Sequence, residues 1–250
     1  MDDSPLLTLA EARTHALTTD WDNLQIAVPW FVGRRVLDAE RLEGILASDE
    51  RADAVGLTAA AVYGFWPANS VDDDIIVYKN DARNVVLARF PMLRQQDVRA
   101  GGEPNLSLAD FVAPKDSMAP DYIGMFAVAV FPPADGALSA EEAELSARLA
   151  DVCADHLHAQ AREDWGCTGI RVEWGTPPCP DISFRRTMLA LLDAQAVGIS
   201  LSPGDALVPA ASRVGLYFSH PAATSFNVGR LGDDQREDYA QRKAAAQALL

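Results

Sequence analysis

The sequence predicts an α+β fold with a largely antiparallel sheet, and three observations carry that expectation. Apolar runs of strand length recur at residues 59–65, 75–78, 84–90 and 122–131. Stretches with helical spacing of apolar residues lie among them without a regular strand–helix alternation. Where successive strands pair, short turn-forming segments join them instead of crossover helices. With 250 residues, 49% of them hydrophobic, the chain can bury a substantial core as one large domain or two small ones.

Thr8 followed by Glu11 is a capping box that opens a helix through about Leu17. Aromatic and apolar residues crowd residues 21–31, and residues 36–47 return apolar side chains at three- and four-residue steps, a second helix. The stretch GFWPANSVDDDIIVY, residues 64–78, then joins two apolar strands. Pro67 and Asn69 punctuate it, and the connection reads as too long for a two-residue hairpin. The run Asp72-Asp73-Asp74 is costly to bury, so it is expected in a solvated turn or against a cationic partner.

A third strand, residues 84–90, leads into a polar, Gly-rich loop at 94–104 and short structure at 106–114. Residues 122–131 are apolar at nearly every position and predict a strand buried on both faces, ended by Pro132-Pro133. Ser139 and Glu142 cap a long helix to about Asp164, with Leu145, Leu149, Val152 and Leu157 inward. Residues 169–180, GIRVEWGTPPCP, are too rich in proline and glycine for extended regular structure. A helix at 181–196 turns Phe184, Met188, Leu191 and Leu192 to one side. A strand pair at 216–218 and 225–228 follows, and a helix from Asp233 to Leu250 places acidic residues near its start and Arg242 and Lys243 later.

The formal net charge of −15 argues against non-specific nucleic-acid binding and against an anionic membrane surface. The N-terminus MDDSPLLTLAEA lacks the basic segment of a signal peptide, and no apolar run is long enough to span a membrane, so a cytoplasmic protein is expected. Cys153, Cys167 and Cys179 match neither a disulfide framework nor a zinc ribbon and read as free thiols. His156 and His158, two apart on a helix, point to different faces and make no metal pair. No HExxH, Walker, GxGxxG or GxSxG pattern is present.

Several blocks in order carry a family resemblance: residues 64–78, LADFVAP at 108–114, DYIGMFAV at 121–128, GIRVEWGTPPCPD at 169–181, ALVPAASRVGLYFSHP at 206–221, and DQREDYAQRK at 234–243. Together they resemble the activation domain of cobalamin-dependent methionine synthase over nearly the whole chain. The resemblance implies a single domain over residues 1–250, with a twisted antiparallel sheet flanked by helices. It implies S-adenosylmethionine (AdoMet) in a shallow groove near the sheet edge, and cobalamin carried by a partner subunit or domain. A flavodoxin- or ferredoxin-type donor would supply an electron so that cob(II)alamin is reductively remethylated. The cofactor carries that chemistry, and no side-chain acid, base or nucleophile is required. Because Met1 opens the resemblance and Leu250 lies shortly after its last helix, a standalone subunit of a split enzyme is the expectation.

Carried over residue by residue, the implied AdoMet-binding positions are Arg171, Glu173, Gly175, Thr176, Pro178, Ser225 and Phe226. Arg171 matches the family arginine that meets the AdoMet carboxylate, a planar anion that suits a guanidinium fork; a surface salt bridge is its plain alternative. Glu173 stands where the family has a small residue, and Thr176 where it has an aromatic one. Of a tandem aromatic pair, Phe226 is retained beside Ser225, as ligand wall or as core. Cys179 is retained and reads as a buried thiol. Residues 37–60 hold no counterpart of the family's Asp-Trp-Thr-Pro-Phe-Phe segment, and the loops at 131–139 and 165–169 are shortened. Those departures point to the alternatives: a non-catalytic module that docks on a corrinoid protein without AdoMet, or an activator of another corrinoid methyltransferase.

Overall fold

The computed structural model describes residues 5–134 and 136–249. Its first helix, α1 (Leu9–Thr14), opens with the expected capping box: Thr8 N–H donates to Glu11 Oε2 at 2.8 Å and Glu11 N–H donates to Thr8 Oγ1 at 3.2 Å. Strand β1 (Gly33–Val36) precedes α2 (Ala39–Ala47), which starts three residues later than its apolar spacing suggests because Asp38 caps it. A further short helix, α3 (Glu50–Val55), ends at Gly56 in the left-handed conformation, φ 76°.

The next strands are β2 (Thr58–Val71), β3 (Asp74–Tyr78), β4 (Val86–Pro91) and β5 (Asp121–Phe131). They are followed by α4 (Ala140–Trp165), β6 (Ile170–Glu173), α5 (Arg185–Leu191), β7 (Ser200–Leu201), β8 (Leu207–Val208), β9 (Ser212–Phe218) and α6 (Asp233–Gln247). The main sheet runs β4-β3-β2-β5-β9-β6, with β1 also on β2, and every pairing is antiparallel. One edge of β2 is shared: Val62 to Phe65 pair with β1, and Ala68 to Val71 pair with β3. Pro67, which has no N–H to give, falls between those two pairings.

Alternate residues feed two cores. On β5, Ile123, Met125, Ala127 and Ala129 join one, while Tyr122, Phe126, Val128 and Val130 join the other. The first core is closed by Phe111, Trp174, Phe184, Met188 and Ala246, and the second by α2, α3 and the inner face of α4. Leu145, Leu149 and Leu157 point inward as expected, but Val152 is 37% exposed and Cys153 takes the inner position.

The structure corrects the reading of residues 64–78. Pro67 to Ser70 lie within β2, and the turn is a two-residue hairpin, Asp72-Asp73, because Val71 pairs directly with Asp74. Asp72 alone is solvated and adopts φ 51°; Asp73 and Asp74 are buried. Their cationic partners belong to the same chain. Asp73 accepts from Arg94 Nε at 2.8 Å and from Arg13 Nε at 2.9 Å, while Asp74 meets Arg242 and, at 2.9 Å, Arg89. Arg94 is itself buried, and its fork also donates to both oxygens of Asp110 and to the Asn105 carbonyl. Gln235 of α6 accepts from Arg94 N–H and donates to Arg94 O, which ties the C-terminal helix to this cluster.

Other differences are local. Residues 170–173 form a strand inside the Pro/Gly-rich stretch, whereas residues 225–228 form none. The helix expected at 181–196 divides into α5 and a 3₁₀ turn, Ala194–Val197. The last helix ends at Gln247, and Leu250 lies outside the described residues; Lys243 pairs with Asp181 at 2.7 Å and Arg242 with Asp74 instead of serving the helix dipole alone. Cys153, Cys167 and Cys179 are free thiols, two of them buried. Among the described residues no helix is long and apolar enough to cross a membrane.

Removing one member of a buried ion network strands the others, typically at about 3–5 kcal/mol. Arg94→Ala is therefore predicted to lower unfolding free energy by roughly that amount, read as a reduced urea midpoint at unchanged slope. A loss below about 1 kcal/mol, within the range of exposed pairs, would show that Asp73 and Asp110 are hydrated.

Candidate functional site

Strand β6 closes one end of the main sheet, opposite β4, and its side chains alternate across that edge. Val172 enters the first core, so Arg171 and Glu173 project to the α4 face. Gly169 immediately precedes the strand, with the Phe218 backbone pressed where a side chain would stand. Arg171 lies opposite Tyr217 of β9, and Glu173 opposite Gly215.

Two carboxylates on α4, Asp151 and Asp155, are one turn apart and face this strand pair. Asp151 holds Arg213 through two contacts, 2.5 and 3.0 Å. Asp155 Oδ1 lies 3.0 Å from Arg171 Nη1, inside ion-pair range but off the direction of a hydrogen bond, so that buried nitrogen has no hydrogen-bond partner. Glu173 sits between the two guanidiniums, 3.4 Å from Arg171 Nε and 4.0 Å from Arg213 Nε. Burial pushes the Glu173 carboxyl up, against the pull of Arg171 and Arg213.

Beneath Arg171 lies a stack of rings. Phe126 and Tyr217 stack at 4.8 Å, and His158 continues the stack on Tyr217 at 4.9 Å. The Arg171 guanidinium stands 6.0 Å from the Phe126 centroid. Tyr217 is 2% exposed and its hydroxyl has no hydrogen-bond partner. Burial, followed by Arg162 and Arg171, holds the His158 pKa down at about 4.

The turn after β6 is closed by Gly175 N–H donating to Cys179 O at 2.7 Å and Cys179 N–H donating to Thr176 O at 2.8 Å. Gly175 adopts φ 93°, which a side chain would strain. The Thr176 hydroxyl turns back onto the Glu173 carbonyl at 2.6 Å, and Pro178 and Cys179 are buried. Arg185 supports the turn from behind, donating to Trp174 O, with its Nε lacking a partner.

Of the residues named from the sequence, Arg171 and Glu173 are brought together, and Gly175, Thr176 and Pro178 form the adjoining turn. Val228 N–H donates to Pro177 O at 3.2 Å, which brings the segment with Ser225 and Phe226 alongside that turn. Ser225 is exposed. Phe226 is half-buried and packs on Phe111 in the first core, so its ring and the Arg171 guanidinium lie on opposite faces of β6. Asp151, Asp155, Arg213 and Tyr217 were not singled out from the sequence, and His158 was considered only as a metal ligand. The one available signal was the four-residue spacing of Asp151 and Asp155 on the long helix.

A groove of about 730 Å³ lies over Asp73, Arg94 and Asp110, and these three charges already satisfy one another. Among the described residues no group of three metal-ligating side chains is present. His158 is predicted to stay neutral from pH 8 to pH 5, so its ring proton resonances should not titrate in that window by NMR. A midpoint near 6.5, the ordinary histidine value, would show that the stack is open to water.

Comparison with known proteins places the fold in a family. The sequence model described as vitamin B12 dependent methionine synthase, activation domain, matches residues 45–244. Among solved structures, the crystal structure of the MetH reactivation domain bound to AdoHcy superposes with a TM-score of 0.84 at 30% identity, covering 96% of this chain and 95% of that one. With the family model matched over residues 45–244 and 30% identity over nearly the full length of both chains, this chain belongs to the family of activation domains of vitamin B12-dependent methionine synthase.

Proposed function

We propose that the chain supports reductive remethylation of cob(II)alamin held by a methionine synthase cobalamin subunit or domain, with AdoMet bound along β6 as methyl donor. The observation that carries this reading is Arg171 flanked by Asp155 and Glu173 on an open sheet edge. A guanidinium between carboxylates complements an α-amino acid, whose carboxylate takes the fork while its ammonium meets the acid beside it. The residues present fit such a ligand: Arg171 Nη1 is buried without a hydrogen bond, and Gly175 keeps the adjoining turn free of a side chain. The relative with AdoHcy bound supports the same ligand class.

AdoMet supplies an electrophilic methyl group on positively charged sulfur. Arg171 orients the carboxylate end, and the Gly175 to Cys179 turn with the neighbouring 225–228 segment offers a wall for the remainder. The stack of Phe126, Tyr217 and His158 fixes the height of Arg171 above the sheet and excludes water beneath it. With His158 neutral, the protein's contribution in this reading is position and electrostatics. In the same reading the cobalamin protein docks across this edge in a split enzyme, in the cytoplasm, and a flavodoxin- or ferredoxin-type donor provides the electron.

Calorimetry with AdoMet tests the site, and remethylation of cob(II)alamin by the chain mixed with a separately purified cobalamin protein and a reductant tests the activity. Binding is expected, and Arg171→Ala should weaken it about 10- to 100-fold, the scale of one charge-assisted hydrogen bond pair. No heat with AdoMet and no rate increase would contradict the proposal. Capture of the cobalamin protein without AdoMet binding would identify a non-catalytic docking module instead.

A further inference from the structure

We propose that Glu173 makes this site read the charge on its ligand's sulfur, so that AdoMet is held more tightly than AdoHcy. The inference rests on the reading of β6 as the AdoMet site. Five ionisable side chains surround the strand: Asp151, Asp155 and Glu173 against Arg171 and Arg213. With every group ionised these five carry one surplus negative charge; Arg185, held on the Trp174 carbonyl behind the turn, acts on Glu173 from beyond ion-pair range.

The surplus belongs to Glu173. Arg213 is taken by two contacts from Asp151, and Asp155 stands on Arg171. Glu173 has only the looser approaches of 3.4 and 4.0 Å, and no hydrogen bond is donated to its carboxylate among the described residues. Its side chain is 23% exposed, so water screens it less than it screens Asp155, at 73%. A second polar group lies unsatisfied beside Arg171. The Tyr217 hydroxyl, on a side chain buried beside Arg171 on the neighbouring strand, has no partner.

Position supplies the rest. The Glu173 backbone is two residues along β6 from that of Arg171 and on the same face, about 7 Å away at the strand rise, and its carboxylate leans back to 3.4 Å from Arg171 Nε, between the two positions. A stretched methionyl chain with its carboxylate on the Arg171 fork and its length along the strand reaches a comparable distance, which sets its sulfur beside Glu173. In AdoMet that sulfur bears a positive charge; after the methyl group has left, the thioether of AdoHcy is neutral. The carboxylate therefore attracts the donor and has nothing to hold in the product, which favours exchange after each turnover.

Calorimetric titration of the full chain with AdoMet and, separately, with AdoHcy gives the ratio of the two affinities. The wild type is expected to favour AdoMet about tenfold, or ~1.4 kcal/mol. Glu173→Gln should bring the ratio close to one mainly by weakening AdoMet, and Glu173→Asp, which keeps the charge, should retain most of the preference. Thermal melts of each variant report folding. Binding of both ligands with the same ratio in wild type and Glu173→Gln overturns this inference while leaving the site in place. Failure of the folded wild type to bind either ligand overturns the site and the inference together.

Discussion

The antiparallel pairing of β2 with β5, from Thr58 opposite Phe131 to Ala68 opposite Asp121, is the constraint on which the rest of the molecule depends. Both strands are buried on both faces, so each alternate residue is committed to one of two cores. A slip of one residue would exchange the faces and send Tyr63, Phe65 and Phe126 into the wrong core. The candidate site inherits its geometry from this register. Gly124 of β5 lies opposite Tyr217, and Tyr217 opposite Arg171. A side chain at Gly124 would stand 2.8 Å from the Tyr217 Cβ and 3.1 Å from the Trp165 ring. That glycine lets the ring stack sit close enough to the sheet to carry Arg171 at its edge.

Charge is used differently at the two ends of the sheet. Around β3, Asp73 and Asp74 are sealed against Arg94, Arg13, Arg89 and Arg242, and the network closes on itself while clamping α1 and α6. Around β6 the Glu173 carboxylate has only approaches of 3.4 and 4.0 Å, and Arg171 Nη1 and the Tyr217 phenol are left without hydrogen bonds, whereas at β3 such a group, Arg89 Nε, stays 2.9 Å from Asp74. The first arrangement suits structure, since buried ionic groups must be satisfied to be tolerated. The second suits a ligand, which can complete it. A strongly negative chain can thus hold its most acidic segment at a structural joint and keep its cationic recognition element at an open edge.

The parts of the fold legible in the sequence were those with local causes. The capping boxes at Thr8 and Ser139 mark α1 and α4, and unbroken apolarity marks β5 as a central strand. The hairpin at Asp72 was misread because a turn rich in aspartate looks solvated until its partners, 15 to 168 residues away in the chain, are in place. Strand β6 was hidden by the prolines that follow it; only pairing with β9 makes those four residues extended. For the site, Arg171 and its turn were legible through family resemblance. Asp155, His158 and Tyr217 were not, because their roles arise from a helix and a strand packing face to face, and nothing local distinguishes them from ordinary amphipathic positions.

Family membership supplies the scaffold, and the β6 edge supplies the chemistry proposed for it. The most direct measurement is a crystal structure of the chain grown with saturating AdoMet. Density whose carboxylate meets Arg171 and whose length follows β6 past Glu173 toward the Gly175 to Cys179 turn is the predicted result. Density confined to another groove, or Arg171 still paired with Asp155 at a bare edge, would contradict it.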